Sequence, residues 1–167
     1  MHSVTFQGNP LHLLGTLPKL GEKAPAFTLT ANDLALRTLN DYASRIVVLL
    51  CVPSLDTPVC DMEVRRFNNE ATQLSKDVVL LAVSRDLPFA QARWCGASHT
   101  SRVETLSDYR DGSFGKSYGV YLQELDLLAR AVFVLDKEGI VRYSELVPEV
   151  TNEPSYSDVL CAIQKLL

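Results

Sequence analysis

The reactive chemistry of this chain rests on four cysteines: Cys51, Cys60, Cys95 and Cys161. No two are spaced Cys-x-x-Cys, and His2, His12 and His99 add no zinc-binding pattern to them. Cys60 has the most informative surroundings. An apolar run over 46–52, IVVLLCV, leads into a polar turn that holds Pro53, Thr57 and Pro58. After Cys60, the apolar residues Met62, Val64, Phe67, Ala71 and Leu74 recur at helical spacing. Pro58 suits the first turn of a helix, where a missing N–H costs nothing, and Asp56 or Thr57 can cap it. Cys60 therefore falls in the first turn of a helix that follows a buried strand. Unpaired N–H groups and the positive end of the helix dipole favour an anion there. A thiol in such a field gives up its proton more easily, and the thiolate is the nucleophile. The Thr57 hydroxyl, three residues upstream, can turn back toward the sulfur or toward whatever the sulfur attacks. Pro53 stiffens the entry and shields it from water.

The elements that must position this turn follow from the pattern on either side. A second apolar run over 78–83 reads as another buried strand. Strand, helix over 59–74 and strand form a βαβ unit with parallel pairing. Ahead of it, 4–6 and 11–14 flank Gly8-Asn9-Pro10 and read as a β-hairpin. Short strands are expected at 26–30 and 36–39, and one helical turn at 40–44. Downstream, Pro88 opens a helix over 89–97 with Asp86 as its cap, and Cys95 lies near its end. A short strand over 104–106, a short helix over 113–118 and a loop over 120–127 come next. Runs at 131–135 and 140–146 flank Asp136-Lys137-Glu138-Gly139 as a second hairpin. Residues 156–167 form an amphipathic C-terminal helix. The sum is an α/β chain. On its own helix, Cys60 is followed by Glu63, Arg65, Arg66 and Glu70, which read mostly as a solvated face.

Composition narrows the classes. A length of 167 residues suits one domain over 1–167, and 47% hydrophobic with 22% charged content suits a compact core rather than disorder. The net charge of −4 argues against a nucleic-acid surface. No run approaches the ~20 apolar residues that span a bilayer. The N-terminus lacks the charged and apolar regions of a secretory signal, so a cytoplasmic protein is expected. In that setting the cysteines point to catalytic or redox use rather than to a disulfide scaffold. No metal, haem or flavin is called for.

Pro53-x-x-x-Thr57-x-x-Cys60 resembles the active-site signature of the peroxiredoxins, and the longer string PSLDTPVC resembles their thiol peroxidase branch. Residues 86–97, DLPFAQARWCGA, and 128–136, LARAVFVLD, extend the likeness, which runs from VTFQGNP at 4–10 to the last helix. The resemblance implies a thioredoxin-like fold, a central mixed β-sheet flanked by helices, with an N-terminal β-hairpin extension. It implies a peroxidase acting on hydrogen peroxide and alkyl hydroperoxides, recycled by thioredoxin, and a homodimer. Cys60 would be the peroxidatic cysteine and Cys95 the resolving one, joined in an intramolecular disulfide during turnover. Arg130 matches the family's active-site arginine; without the match it would read as a strand-end surface residue. Because the two cysteines lie on different helices, at least one helix end must unwind to join them, and the first turn around Cys60 and the region 94–98 are the expected mobile parts. Cys51 and Cys161 read as inert core residues, and Leu55 and Phe89 as apolar residues at the pocket mouth. The chain departs from many relatives in reading Cys95-Gly-Ala-Ser-His99 where they carry Glu-Gly at the last two positions. Two other readings compete: a protein disulfide oxidoreductase, weakened by the lack of Cys-x-x-Cys, and a non-enzymatic redox sensor that shares the first chemical step.

Overall fold

The buried run before the active turn forms the centre of the molecule, as a computed structural model of the protein describing residues 3–167 shows. Strand β5 (Ile46–Cys51) is fully buried along its length. Its alternate residues serve two cores. Val47, Leu49 and Cys51 face one apolar cluster, and Ile46, Val48 and Leu50 face the other. A strand covered on both faces needs apolar residues at every position, so the run is continuous rather than alternating.

Among the described residues, ten further strands and four α-helices are arranged around it. Ahead of β5 come β1 (Ser3–Phe6), β2 (Asn9–Leu14), β3 (Thr28–Ala31) and β4 (Leu36–Thr38), then a 3₁₀ turn, Leu39–Tyr42. Helix α1 (Pro58–Ala71), β6 (Val78–Ser84), α2 (Pro88–Ser98) and β7 (Val103–Ser107) follow β5. The chain continues with α3 (Ser113–Ser117), β8 (Tyr121–Leu122), β9 (Leu127–Leu128), β10 (Ala131–Leu135), β11 (Val141–Leu146) and α4 (Tyr156–Gln164). The main sheet has seven strands in the order β11-β10-β5-β6-β7-β3-β4. The β5-β6-β7 core is parallel, Ile46 opposite Val78 through Cys51 opposite Val83, and the flanking pairs are antiparallel. This is the mixed sheet of a thioredoxin-like fold. Helices α1, α2 and α4 cover one face through Val64, Phe67, Trp94, Tyr156, Val159 and Ile163. The other face is covered by the β1–β2 hairpin, through Val4, Leu11 and Leu13, with Phe114 and Tyr118.

Three expectations are revised here. The segment 120–127 is not a plain loop, because β8 and β9 form a small hairpin that extends the β1–β2 sheet. Two-residue strands carry too little periodicity to be read. Asp86 does not cap α2, whose N-cap position is Leu87. Its carboxylate instead accepts hydrogen bonds from Ser54 Oγ (2.7 Å), the Leu55 N–H (2.8 Å) and Ser84 Oγ (2.8 Å), bracing the turn that leads to Cys60. Cys161 is exposed on α4 rather than packed in the core, whereas Cys51 is buried and burial pushes its thiol pKa well up. No helix among the described residues is long and apolar enough to cross a membrane.

Candidate active site

Cys60 is the third residue of α1, directly beyond the end of the central strand, and is fully buried. Pro58 occupies the first turn and Thr57 the N-cap position, in extended backbone. The expected capping bond is not made: Thr57 Oγ1 donates to the Ser54 carbonyl at 2.8 Å. The hydroxyl thus stabilises the turn.

Arg130 reaches this turn from the neighbouring strand end. It lies between β9 and β10, and antiparallel pairing sets Ala131 opposite Cys51, the last residue of β5. The strand end that delivers Cys60 and the one that delivers Arg130 are therefore neighbours. The guanidinium is 2% exposed and uses three of its N–H groups. Nε donates to the Val150 carbonyl at 2.9 Å, Nη1 to Glu63 Oε2, and Nη2 to Cys60 Sγ at 3.1 Å. A buried guanidinium in contact with sulfur stabilises negative charge there. Burial works against the charge on Arg130 itself, but its interactions with Glu63 and Cys60 more than offset this and hold its pKa above the ordinary value.

Glu63 is the residue that sequence reasoning misplaced. It belongs to no solvated face: it is fully buried, paired with Arg130, and its Oε1 has no hydrogen-bond partner. Burial raises its pKa to about 7, against the lowering influence of Arg130. The readable signal was its spacing, three residues after Cys60 and so on the same side of the helix. Arg65 and Arg66 do lie outward, Arg65 on Asp61 and Arg66 over the Tyr156 ring at 3.9 Å.

A pocket of about 210 Å³ opens beside this group, lined by Phe6, Pro53, Thr57, Val59, Arg130 and Val150 among others. Pro53, Thr57 and Arg130 thus meet at one cavity, and Arg130 links it to Cys60. Leu55 and Phe89 do not line it. Leu55 is 2% exposed in the core and Phe89 is 67% exposed on α2. The apolar wall comes instead from Phe6 at the end of β1 and from Val150. Glu149 ties these two segments together. Its carboxylate accepts from the Thr5 hydroxyl, Thr151 Oγ1 (2.7 Å) and the Gln7 N–H (2.7 Å), and the hydroxyl bonds in particular draw its pKa down to about 2.

Cys95 stands apart from this group. All four cysteines are free thiols. Cys95 Sγ lies 3.3 Å from Thr105 Oγ1 and accepts from Asn32 Nδ2 at 3.7 Å, in a separate polar cleft. Its helix ends at His99, which is exposed and in the left-handed conformation (φ 56°, ψ 37°) that favours glycine. Among the described residues no three His, Cys, Asp or Glu side chains come together to hold a metal ion.

Comparison with known proteins shows the family of the chain. The family model described as Redoxin matches residues 19–160. The thiol peroxidase of Bacillus subtilis is 50% identical over 167 residues, covering 100% of this chain and 99% of that protein. The thiol peroxidase of Halalkalibacterium halodurans is 51% identical, with both chains covered in full. Among solved structures, a peroxiredoxin-like protein from Aquifex aeolicus superimposes with a TM-score of 0.93 at 38% identity, over 100% of this chain and 98% of that one. A thiol peroxidase from Chromobacterium violaceum shares the fold, with a TM-score of 0.89 at 19% identity. With a Redoxin match over most of its length and full-length relatives at half identity, the chain belongs to the Redoxin family and, within it, to the thiol peroxidases, peroxiredoxin-type enzymes that reduce peroxides.

Proposed function

We propose that Cys60 is the peroxidatic cysteine of a thioredoxin-dependent peroxidase, with Cys95 as its resolving partner. The observation that carries the assignment is the Arg130 Nη2 contact to Cys60 Sγ at 3.1 Å beside a pocket of substrate size. The Cys60 thiolate attacks the terminal oxygen of a hydroperoxide. The O–O bond breaks, the sulfur is oxidised to a sulfenic acid, and the alkoxide or hydroxide leaves and takes up a proton. Arg130 holds the thiolate and offers N–H groups to charge developing on the peroxide oxygens. The Thr57 hydroxyl accepts a hydrogen bond from the peroxide O–H, and Pro53 closes the pocket to bulk water. The Cys95 thiol then attacks the sulfenic sulfur, an S–S bond replaces the S–O bond, and water leaves. A thioredoxin dithiol reduces that disulfide by exchange and is itself oxidised. The reading extends to a homodimeric, cytoplasmic enzyme acting as one domain over 1–167.

The test is to treat reduced protein with one equivalent of cumene hydroperoxide and map its disulfides by non-reducing peptide mass spectrometry. A Cys60–Cys95 linkage within one chain is expected, lost in Cys95→Ser, which stops at the sulfenic acid. Recovery of Cys60 as a free thiol while peroxide disappears would defeat the assignment.

Substrate preference follows from the pocket wall. Phe6, Val59 and Val150 offer apolar surface where an alkyl or aryl group of a hydroperoxide would lie, so organic hydroperoxides are favoured over hydrogen peroxide. Phe6→Ala should slow reaction with cumene hydroperoxide by about fivefold to tenfold, the partial burial of one aromatic ring. Reaction with hydrogen peroxide should change less than twofold. Competition kinetics with both oxidants checks this, and an equal loss for both would remove Phe6 from substrate recognition.

A further inference from the structure

The residues next to the two functional cysteines are tied to each other. Asp61, which follows Cys60, accepts a hydrogen bond from Trp94 Nε1 at 2.7 Å, and Trp94 precedes Cys95. Arg65 completes the link. Its Nε donates to Asp61 at 2.9 Å, its Nη1 donates to the Ser98 carbonyl at 3.3 Å, and its guanidinium lies 5.9 Å from the centre of the Trp94 ring. Helix α1 is thus fastened to α2 at the two points where each must open. We propose that this Asp61–Trp94–Arg65 clasp sets the rate at which Cys95 closes on oxidised Cys60, and through it the concentration of hydroperoxide the enzyme survives. The proposal rests on the assignment of Cys60 and Cys95 given above.

The geometry makes the clasp an obstacle to closure. Consecutive residues of a helix point about 100° apart. Trp94 is buried in the core shared with α1, while Cys95 packs at the edge of that core with its sulfur held between Thr105 and Asn32. A disulfide needs the two Cα atoms about 4.4–6.8 Å apart with the side chains converging. To turn its sulfur toward Cys60, Cys95 must leave its cleft and the end of α2 must unwind. Trp94 is 8% exposed, and its buried indole N–H has Asp61 as its partner. Unwinding therefore breaks a hydrogen bond to a charged acceptor, stronger than one between neutral groups. The strained left-handed His99 at the end of α2 limits how firmly the rest of that turn resists.

The functional consequence is a competition. The Cys60 sulfenic acid is consumed either by the Cys95 thiol, which yields the disulfide and water, or by a second hydroperoxide. The latter transfers another oxygen to sulfur, leaves as the alcohol and gives a sulfinic acid that thiols do not reverse. Whatever slows closure lowers the hydroperoxide concentration at which the enzyme is lost. Asp61, Trp94 and Arg65 are positioning residues in this scheme, since none touches the reacting atoms.

The test separates the steps by rapid quench and mass spectrometry in wild type, Trp94→Phe, Asp61→Ala and the double variant. Arg65→Gln is added as a variant at an exposed site outside the hydrophobic core. Loss of the Cys60 thiol should stay within about twofold of wild type throughout. Disulfide closure should quicken about tenfold in each single variant and about twofold to threefold in Arg65→Gln. The double variant should be no faster than the faster single, because both lose the same bond. The hydroperoxide concentration that leaves half of Cys60 as sulfinic acid should rise by the same factors. Unchanged or slower closure in the single variants, or factors that multiply in the double, overturn the clasp alone. A wild-type protein that never forms the Cys60–Cys95 bond overturns the cysteine assignment and the clasp with it.

Discussion

Glutamine at position 130 should slow hydroperoxide consumption by about 10²–10³-fold, while serine at position 60 should abolish it. The two losses have different origins. Cys60→Ser removes the nucleophile, and a hydroxyl cannot accept an oxygen atom as sulfur does. Arg130→Gln leaves the sulfur in place and removes the fixed cation beside it, the size of effect associated with losing one preorganised donor in a water-excluded site. The environment makes the effect large. Arg130 is 2% exposed and holds its fork with three separate acceptors: Val150, Glu63 and Cys60. Without it, the thiolate would have to form in a buried site with no counter-charge, next to a carboxyl group. Arg130→Lys should recover only part of the loss, because an ammonium keeps the charge but not the planar fork that serves three acceptors at once. Competition against a reference peroxidase, at several peroxide concentrations, gives the second-order rate constants. An Arg130→Gln protein within threefold of wild type would show that the 3.1 Å contact has no part in the chemistry.

What the sequence disclosed about this site divides by range. Local features were readable. The strand before Cys60, the helix after it and Pro58 in its first turn all follow from spacing over about fifteen residues, and the structure realises them at Ile46–Cys51 and Pro58–Ala71. Features that depend on which strand lies beside which were not. Position 130 is brought to position 60 only because β10 pairs with β5 across the sheet. Without the family resemblance, a guanidinium ahead of a strand reads as surface, and no periodicity says otherwise.

Glu63 shows the limit most clearly. A glutamate on an amphipathic helix is solvated by default, and the residue that buries it lies 67 positions away. The pocket wall failed for the same reason. Phe6 and Val150 approach because Glu149 stitches the hairpin to the segment after β11, a contact spanning more than 140 residues. Leu55 and Phe89, nearby in sequence, are turned elsewhere. Asp86 had the right chemistry for a helix cap, but its carboxylate accepts instead from Ser54 and Leu55 in the turn after β5 and from Ser84 at the end of β6.

The burial of Glu63 carries a pH signature that a surface glutamate could not. Its pKa is raised to about 7 from an ordinary 4.5, because burial penalises the carboxylate more than Arg130 repays it, and Oε1 has no hydrogen bond to help. The folded protein therefore binds a proton more tightly than the unfolded chain. The stabilisation this brings is complete below about pH 4.5 and is lost as pH rises through about 7. The full difference amounts to roughly 3 kcal/mol at about 1.4 kcal/mol per unit. Glu63→Gln keeps an oxygen for the Arg130 Nη1 bond and cannot ionise, so it should lack this loss. Urea denaturation of both reduced proteins at pH 5 and pH 8 measures it. The stability of wild type relative to Glu63→Gln should fall by up to roughly 3 kcal/mol between the two pH values. Taking the difference between proteins cancels the contributions of other groups, such as Asp108, whose pKa burial also raises. Parallel behaviour of the two proteins would mean that Glu63 stays ionised across the range as the lasting counter-charge of Arg130. Arg130 would then be committed to two anions at once whenever the thiolate forms. A fall confined to wild type would mean that, at the lower pH, a neutral Glu63 leaves the guanidinium charge to the sulfur alone.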